Sequence, residues 1–139
     1  LSIAAMGLGL AQGAYEAALN YARQRKAFGQ PISNFQANAF KLADIDMEIE
    51  HARNYLYEVC RMANNDEPIT KEGAIAKLYC SELAHRAANH CVQIHGGYGL
   101  MKEYEVERYF RDAKLLEIGE GTSEIQRLVI ARQIGCFDN

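Results

Sequence analysis

The chain has 139 residues and a formal net charge of −3, from 15 basic and 18 acidic side chains. This length suits a single domain with its own hydrophobic core. The near balance of charge argues against a surface dedicated to nucleic acid and against a polybasic membrane anchor. Twenty Ala and twelve Leu outnumber four Val and two Thr, which predicts an all-α domain because Ala and Leu favour helices whereas Val and Thr favour strands.

The first predicted helix runs from Ser2 to about Arg25 and is rich in Ala and Gly. Its small residues allow the backbone of a neighbouring helix to approach closely, and Gly29 and Pro31 mark the turn that follows. The second helix is predicted to open at Ser33, with Gln36 completing a capping box. Its apolar residues recur at spacings of three and four, which is typical of a helix-bundle seam: Leu42, Ile45, Ile49, Ala52, Leu56, Val59 and Ala63.

The third helix is predicted from a cap at Thr70 to about His95, where a glycine-rich turn ends it. A shorter helix over about Glu103 to Leu116 and a final helix that begins near Thr122 follow. Long helices joined by short turns predict an up-and-down four-helix bundle with additional short C-terminal helices. We assign the whole chain, residues 1–139, to this one domain.

The four cysteines contain no C-x-x-C pair, so a zinc knuckle or dithiol redox site is not expected. Reduced, buried thiols of an intracellular protein are the expectation. The apolar start from Leu1 to Ala11 is too short to span a bilayer. Because the chain does not begin with Met, we expect it to be a piece of a longer protein or a processed product.

Two E-x-x-H motifs in a helical chain raise the possibility of a di-iron centre, Glu48 with His51 and Glu82 with His85. At about 100° per residue, both members of each pair point away from the apolar face of their helix. Two solvated Glu/His pairs are therefore the favoured interpretation, and no metal site is predicted.

Three further features allow two interpretations each. The Gly96-Gly97-x-Gly99 run follows a helix C-terminus, where it is typical of a C-cap but leaves backbone open to a ligand. Arg25 near the end of the first helix is typical of a partner for the helix dipole. Glu120 lies between Gly119 and Gly121 just before the last helix, where the dipole favours an acid but the flanking glycines also leave its carboxylate uncovered.

Three strings taken together resemble the C-terminal domain of the acyl-CoA dehydrogenase family. They are YARQRKAFG at residues 21–29, QIHGGYG at 93–99, and RDAK at 111–114 followed by EGTSEIQR at 120–127. The resemblance covers nearly the whole chain. It implies a fragment of a three-domain flavoenzyme that holds FAD, forms dimers or tetramers, and oxidises acyl-CoA to trans-2-enoyl-CoA. It also implies that electrons leave to an electron-transfer flavoprotein, in the bacterial cytoplasm or the mitochondrial matrix.

The resemblance also implies roles for individual residues. Glu120 matches the catalytic base and Gly121 lies against the substrate. The implied cofactor contacts, several of them to the FAD of a neighbouring subunit, are Arg25, Phe28, Gln36, Gln93, Gly96, Gly97, Thr122 and Glu124. Gly119 stands where many members carry an aromatic residue, which hints at a branched, cyclic or bulky acyl group.

Two other functions stay open. An acyl-CoA oxidase would abstract the same proton but pass its electrons to oxygen. A non-catalytic helical module would only assemble with partners, although the intact string around Glu120 argues for a catalyst. We expect the isolated fragment to be inactive, because both domains that would cover the flavin are absent from it.

Overall fold

A computed structural model describes residues 1–137 as an all-α domain, which confirms the predicted fold class. The five helices are α1 (Ser2–Gln24), α2 (Gln36–Asn64), α3 (Thr70–His95), α4 (Val106–Ile118) and α5 (Ser123–Gln133). Two-residue strands β1 (Lys26–Ala27) and β2 (Gln30–Pro31) form a small antiparallel hairpin after α1. Short 3-10 turns cover Ile32–Asn34 and Gly96–Leu100.

Successive helices run in opposite directions. In the α1–α2 pair, Arg53 donates to Gln12 at 2.8 Å, whereas Tyr15, later in α1, bonds Asp46, which lies earlier in α2. The α4–α3 pair is likewise antiparallel, whereas α1 and α5 run parallel to α3. Since α3 packs against all four other helices, it forms the central element of the domain.

The α1–α3 interface is lined by small side chains. Six residues of α1 that share one face are fully or almost fully buried: Ala4, Leu8, Ala11, Ala14, Ala18 and Ala22. At Gly7 the approach is closest, because a Cβ there would lie 2.7 Å from the carbonyl oxygen of Cys80. Gly7 therefore allows direct backbone contact between the two helices, as the small residues of the sequence predicted.

The predicted seam of α2 is also confirmed. Its residues from Leu42 to Val59 are buried, and only Ala63 at the end of the seam is half-buried. The apolar residues along one face of α3 are buried as well: Ala76, Leu83, Ala87, Cys91 and Ile94. The α2 and α3 faces thus meet in one core with α1.

The cysteines divide into two groups. Cys80 and Cys91 are buried as expected, and burial raises the pKa of their thiols to about 11 and about 12. Cys136 is exposed and Cys60 is half-buried, so the prediction of buried thiols is wrong for Cys136. Cys136 lies three residues after the end of α5 at Gln133.

The predicted helix caps are partly wrong. Ser33 lies in the 3-10 turn, and α2 begins at Gln36 after Phe35, without a side-chain cap. An N-cap needs extended backbone, which Phe35 provides with φ −83° and ψ 125° and which the helical turn at Ser33 does not. Thr70 is likewise the first residue of α3 rather than its cap.

The C-terminal helices lie one to three residues later than predicted. The α4 helix starts at Val106 instead of about Glu103 and ends at Ile118 instead of Leu116. The last helix begins near Thr122 as predicted, and Thr122 is its N-cap, because its side chain accepts a hydrogen bond from the Ile125 amide. Within residues 1–137, none of the helices is both long and apolar enough to cross a membrane.

Candidate functional site

The Glu120 turn, residues 119–122, joins α4 to α5. Glu120 adopts φ 52° and Gly121 adopts φ 98°, so two consecutive residues lie in the left-handed region. For a residue with a Cβ this conformation costs about 1–2 kcal/mol. The Glu120 side chain is exposed at the surface. The structure therefore holds an accessible carboxylate on a backbone that is unfavourable for glutamate, which is common at functional sites.

Two side chains bind the carbonyl groups of this turn. Lys77 of α3 donates to the Gly121 carbonyl at 2.7 Å and to the Glu117 carbonyl at 3.3 Å. From α5, Gln126 donates to the carbonyls of Glu120 and Gly121, each at 3.3 Å. The turn is thus tied to the central helix on one side and to the following helix on the other.

Lys77 is a buried lysine, 6% exposed. Burial lowers the pKa of its ammonium group, while the carboxylates of Glu117, Glu120 and Glu82 act in the opposite direction. The sequence analysis did not identify this residue. A signal was present, since Lys77 shares a three- and four-residue spacing with buried small residues: Cys80, Ala84, Ala88 and Cys91.

Thr122 and Glu124 form the N-terminal cap of α5. The pKa of the Glu124 carboxyl lies below its usual value, because hydrogen bonds from its own backbone N–H and from the Thr122 hydroxyl stabilise the charged form. The Thr122 side chain also accepts from the Ile125 amide at 3.4 Å. Both residues therefore have a structural role at the helix start.

A second cluster lies at the other end of the bundle, where α1 and α3 end. Arg25, Gly96, Gly97 and Tyr98 line an open cavity of about 550 Å³. The Arg25 guanidinium lies 5.6 Å from the centre of the Tyr98 ring. A Cβ at Gly96 or Gly97 would meet no atom within 4 Å, so the backbone there faces open space. The cavity offers one cation and bare backbone to a ligand.

His95 forms the floor of this cavity. Its ring stacks on Tyr21 with centroids 4.1 Å apart, and its Nδ1 donates to the Cys91 carbonyl at 2.8 Å. Burial lowers the pKa of the imidazole, although the hydrogen bond to Cys91 opposes this effect. His95 is thus a buried ring that holds the ends of α1 and α3 together.

Three other predicted cofactor residues lie outside the residues that line this cavity. Phe28 is 96% exposed with φ 51°, at the tip of the β1–β2 hairpin. Gln36 is the exposed first residue of α2, and Gln93 is exposed on α3. The Phe28 ring packs edge-on against Phe35, with ring centroids 6.2 Å apart. Their predicted roles stay predictions.

The Glu120 turn and the Arg25 cavity are far apart. The turn is bound at Lys77 of α3 and the cavity lies at His95, eighteen residues further along that helix. At a rise of 1.5 Å per residue, the separation along α3 is about 27 Å. One copy of the chain therefore does not bring all predicted site residues to one place.

The two carboxylates of the E-x-x-H motifs form ion pairs with arginines on neighbouring helices. Glu48 pairs with Arg86, and Glu82 pairs with Arg127 at 2.6 Å. The His51 side chain is exposed. Along residues 1–137, no three His, Cys, Asp or Glu side chains are placed to hold a metal ion together.

His85 is not fully solvated as predicted. It is half-buried and bonds the Glu117 carboxylate at 2.7 Å. Burial alone would raise the pKa of Glu117, but hydrogen bonds from Lys114 and His85 lower it overall. The half-buried position follows from the packing of α4 over this side of α3.

Comparisons with known proteins agree on one family. The model of the acyl-CoA dehydrogenase C-terminal domain matches residues 1–135. The chain is 61% identical to a probable acyl-CoA dehydrogenase of Bacillus subtilis, YngJ, with 96% of this chain and 35% of that protein covered. It is 44% identical to subunit CarC of the caffeyl-CoA reductase-Etf complex of Acetobacterium woodii, with 94% and 35% covered.

Solved structures give the same result. Butyryl-CoA dehydrogenase from Megasphaera elsdenii matches with a TM-score of 0.93 at 44% identity, with 95% of this chain and 34% of that chain covered. An FAD complex of PigA matches with a TM-score of 0.91 at 29% identity, with 95% and 34% covered. The chain therefore spans about a third of the length of the proteins that it resembles.

Proposed function

Because the chain belongs to the acyl-CoA dehydrogenase family, as its C-terminal domain, we propose that it carries the proton-abstracting base of an FAD-dependent dehydrogenase. The proposed reaction is the α,β-dehydrogenation of an acyl-CoA thioester to the trans-2-enoyl-CoA. In this proposal the chain is one domain of a longer three-domain flavoenzyme. The observation that carries the proposal is the exposed Glu120 carboxylate on a strained turn, within the family string at residues 120–127.

A carboxylate suits this chemistry. The carboxylate of Glu120 takes the proton from Cα of the thioester, and the electron pair of that C–H bond forms the new double bond. Bound FAD supplies the acceptor for the hydride that leaves Cβ. The protein contributes orientation and the base, for which a positioned carboxylate typically gives about 10²–10⁴-fold in rate.

The Arg25 cavity fits the diphosphate of FAD. A guanidinium offers charge-assisted, paired hydrogen bonds to phosphate oxygens, and exposed glycine backbone allows an anion to come close. The separation of about 27 Å from Glu120 favours a cofactor shared between copies of the chain. The Arg25 end of one copy would then hold the FAD that serves the Glu120 turn of its neighbour, in a homodimer or homotetramer.

Electron-transfer flavoprotein is the proposed partner for reoxidation. The relative CarC is named as a subunit of a complex with Etf, which supports this choice. An acyl-CoA oxidase is the alternative, and a test of the oxygen reactivity of the reduced flavoprotein distinguishes the two. A non-catalytic assembly module would retain the fold but neither bleach flavin nor bind acyl-CoA.

The acyl group is proposed to be branched, cyclic or otherwise bulky. Gly119 carries no side chain directly before Glu120, where many members of the family carry an aromatic ring, and the absence of that ring supports a larger acyl group. The relative CarC is named for caffeyl-CoA, an aromatic thioester, which is in line with this proposal. An acyl-CoA panel with flavin bleaching as the readout tests it.

The central experiment is Glu120→Gln in the full-length flavoenzyme. The amide keeps the shape of the side chain but is too weakly basic to take the proton. We expect FAD content and acyl-CoA affinity close to those of the wild type, with flavin reduction slowed by at least about 10²-fold. Glu124→Gln is the comparison: it removes a carboxylate one helical turn away, and we expect it to disturb FAD binding more than the chemical step. Reduction at the wild-type rate in Glu120→Gln would assign the base to another residue.

Arg25→Ala tests the cofactor half of the proposal. We expect the variant to lose FAD more readily than the wild type, and the difference to shrink with salt, because salt screens the Arg25–phosphate attraction that only the wild type has. Lys26→Ala, at the neighbouring exposed cation, is the control for a general loss of positive charge. Equal FAD retention in both variants would show that Arg25 does not bind FAD, and its role would then be that of a partner for the dipole of α1.

A further inference from the structure

Lys77 has an environment that is unusual for a lysine. Its ammonium group is buried between α3, α4 and the Glu120 turn, and both of its hydrogen bonds go to backbone carbonyls. Within residues 1–137 it lies in no ion pair shorter than 4 Å. Peptide dipoles therefore make the direct contacts to the charge, one of them at the C-terminal end of α4, where the helix dipole favours a cation. The carboxylates of Glu117, Glu120 and Glu82 act on it from beyond 4 Å.

The two carbonyls lie on either side of Glu120. The Glu117 carbonyl belongs to the last turn of α4, and the Gly121 carbonyl lies one residue after Glu120. Since a peptide group is planar, binding the Gly121 carbonyl also sets the orientation of the peptide that follows it. A single buried ammonium group thus holds the backbone on both sides of the left-handed Glu120 residue.

The hydrogen bonds from Gln126 to the turn are weaker than the one from Lys77. Gln126 reaches the same carbonyl region at 3.3 Å, at the long end of the range for hydrogen bonds. A charged donor at 2.7 Å is stronger, and more so in a buried setting where water does not replace it. Without Lys77, the left-handed conformation of Glu120 would depend on Gln126 and on the cap of α5.

We propose that Lys77 is a positioning residue, whose buried ammonium group holds the Glu120 turn in the conformation that presents the carboxylate to the substrate. This inference rests on the proposed function of Glu120 as the base. Lys77 does not touch the substrate. It acts through the Gly121 and Glu117 carbonyls, so its loss changes where the base lies and leaves its chemistry intact.

The test compares Lys77→Met and Glu82→Gln in the full-length flavoenzyme. Methionine keeps the unbranched stem of lysine but removes the donors. Glu82→Gln breaks a different tie between α3 and α5, the Arg127 ion pair, without a contact to the turn. We measure FAD content, acyl-CoA affinity and the rate of flavin reduction at saturating substrate, with Glu120→Gln in parallel.

Lys77→Met is expected to slow flavin reduction about 10- to 100-fold, as a small misplacement of a reacting group does. FAD content and acyl-CoA affinity are expected to stay within about two-fold of the wild type, and Glu82→Gln to keep the wild-type rate. A role in stability alone would not produce this split between rate and affinity. Reduction by Lys77→Met at the wild-type rate would overturn the proposal.

A measurement on the wild-type 139-residue chain covers the case in which Lys77→Met does not fold. The ammonium signal of Lys77 in nitrogen-resolved NMR is expected to exchange slowly with water, because the group is buried and bonded. A freely exchanging Lys77 ammonium group would overturn the proposal. If Glu120→Gln reduces flavin normally, the proposed function fails, whereas a block in Glu120→Gln with a wild-type rate in Lys77→Met refutes only the role of Lys77.

Discussion

The α1–α3 interface and the Glu120 turn are stabilised by different kinds of interaction. At the interface, small apolar residues bring two helix backbones into contact, and Gly7 meets Cys80 with no space for a methyl group. At the turn, the backbone is unfavourable for glutamate, the side chain is exposed, and order depends on hydrogen bonds from Lys77 and Gln126. The small volume of the side chains thus determines the structure of the interface, whereas a few hydrogen bonds determine the conformation of the turn.

This difference separates stability from the proposed activity. Substitutions at the interface change close packing in a fully buried region, so they act on the free energy of unfolding. Substitutions at the turn change an exposed segment that adds little to the core. The turn is therefore free to keep an unfavourable conformation, which the rest of the fold compensates.

Gly7→Ala is expected to have the largest effect on stability. The new Cβ would lie 2.7 Å from the Cys80 carbonyl oxygen, which is backbone and has no rotamer to relieve the contact. Overpacking of this kind lowers the free energy of unfolding by roughly 1–3 kcal/mol. Gly9→Ala is the matched control, because a Cβ there meets nothing within 4 Å and should stabilise α1 by up to about 1 kcal/mol. Equal effects in urea unfolding would contradict the close contact at Gly7.

Glu120→Gly is expected to have a smaller effect with the opposite sign. Glycine removes the cost of the left-handed conformation, about 1–2 kcal/mol, but makes the unfolded chain more flexible. The net expectation is a gain in stability of up to about 1 kcal/mol. Glu50→Gly, at an exposed helical position of α2, should instead lose about 1 kcal/mol. A similar loss in both variants would show that the Glu120 turn carries no strain.

The smallest expected effect is a change in the pH dependence of stability, which depends on His95. Burial lowers the pKa of His95 from its ordinary value of 6.5, so below that value the unfolded chain binds a proton that the folded chain does not. Stability is therefore full above about pH 7 and falls as the pH decreases through 6.5 towards the folded pKa. His95→Gln should flatten this slope in thermal unfolding, whereas His51→Gln, at an exposed position, serves as the control. An unchanged slope in His95→Gln would assign the titration to another group.

The sequence carried most of the information on the fold. The seam of α2 was predictable residue by residue, since the three- and four-residue spacing of apolar side chains directly reflects the helix repeat. The cap at Ser33 was wrong because a capping box pattern does not reveal that a 3-10 turn comes before the helix. Element ends depend on local backbone conformation, which a pattern of residue types specifies less strictly than a buried face.

The candidate site was less predictable. Glu120 was found through its resemblance to a family string, and its surroundings alone left a helix-dipole role open. Lys77 was missed, because its partners are backbone carbonyls forty and more residues away in the chain. No pattern of side-chain types encodes which carbonyl a buried lysine will meet. The spatial separation of the Arg25 cavity from Glu120 also required the folded structure.

The contact at Gly7 has a consequence for the opposite end of the domain. Because α1 and α3 run parallel, Gly7 against Cys80 sets their axial register, and the same register places Tyr21 on His95 fourteen to fifteen residues later. A shift of one residue between the helices would move Arg25 by about 1.5 Å relative to Gly96. The absence of a side chain at Gly7 thus determines the spacing between a cation and open backbone about 24–27 Å away along the two helices.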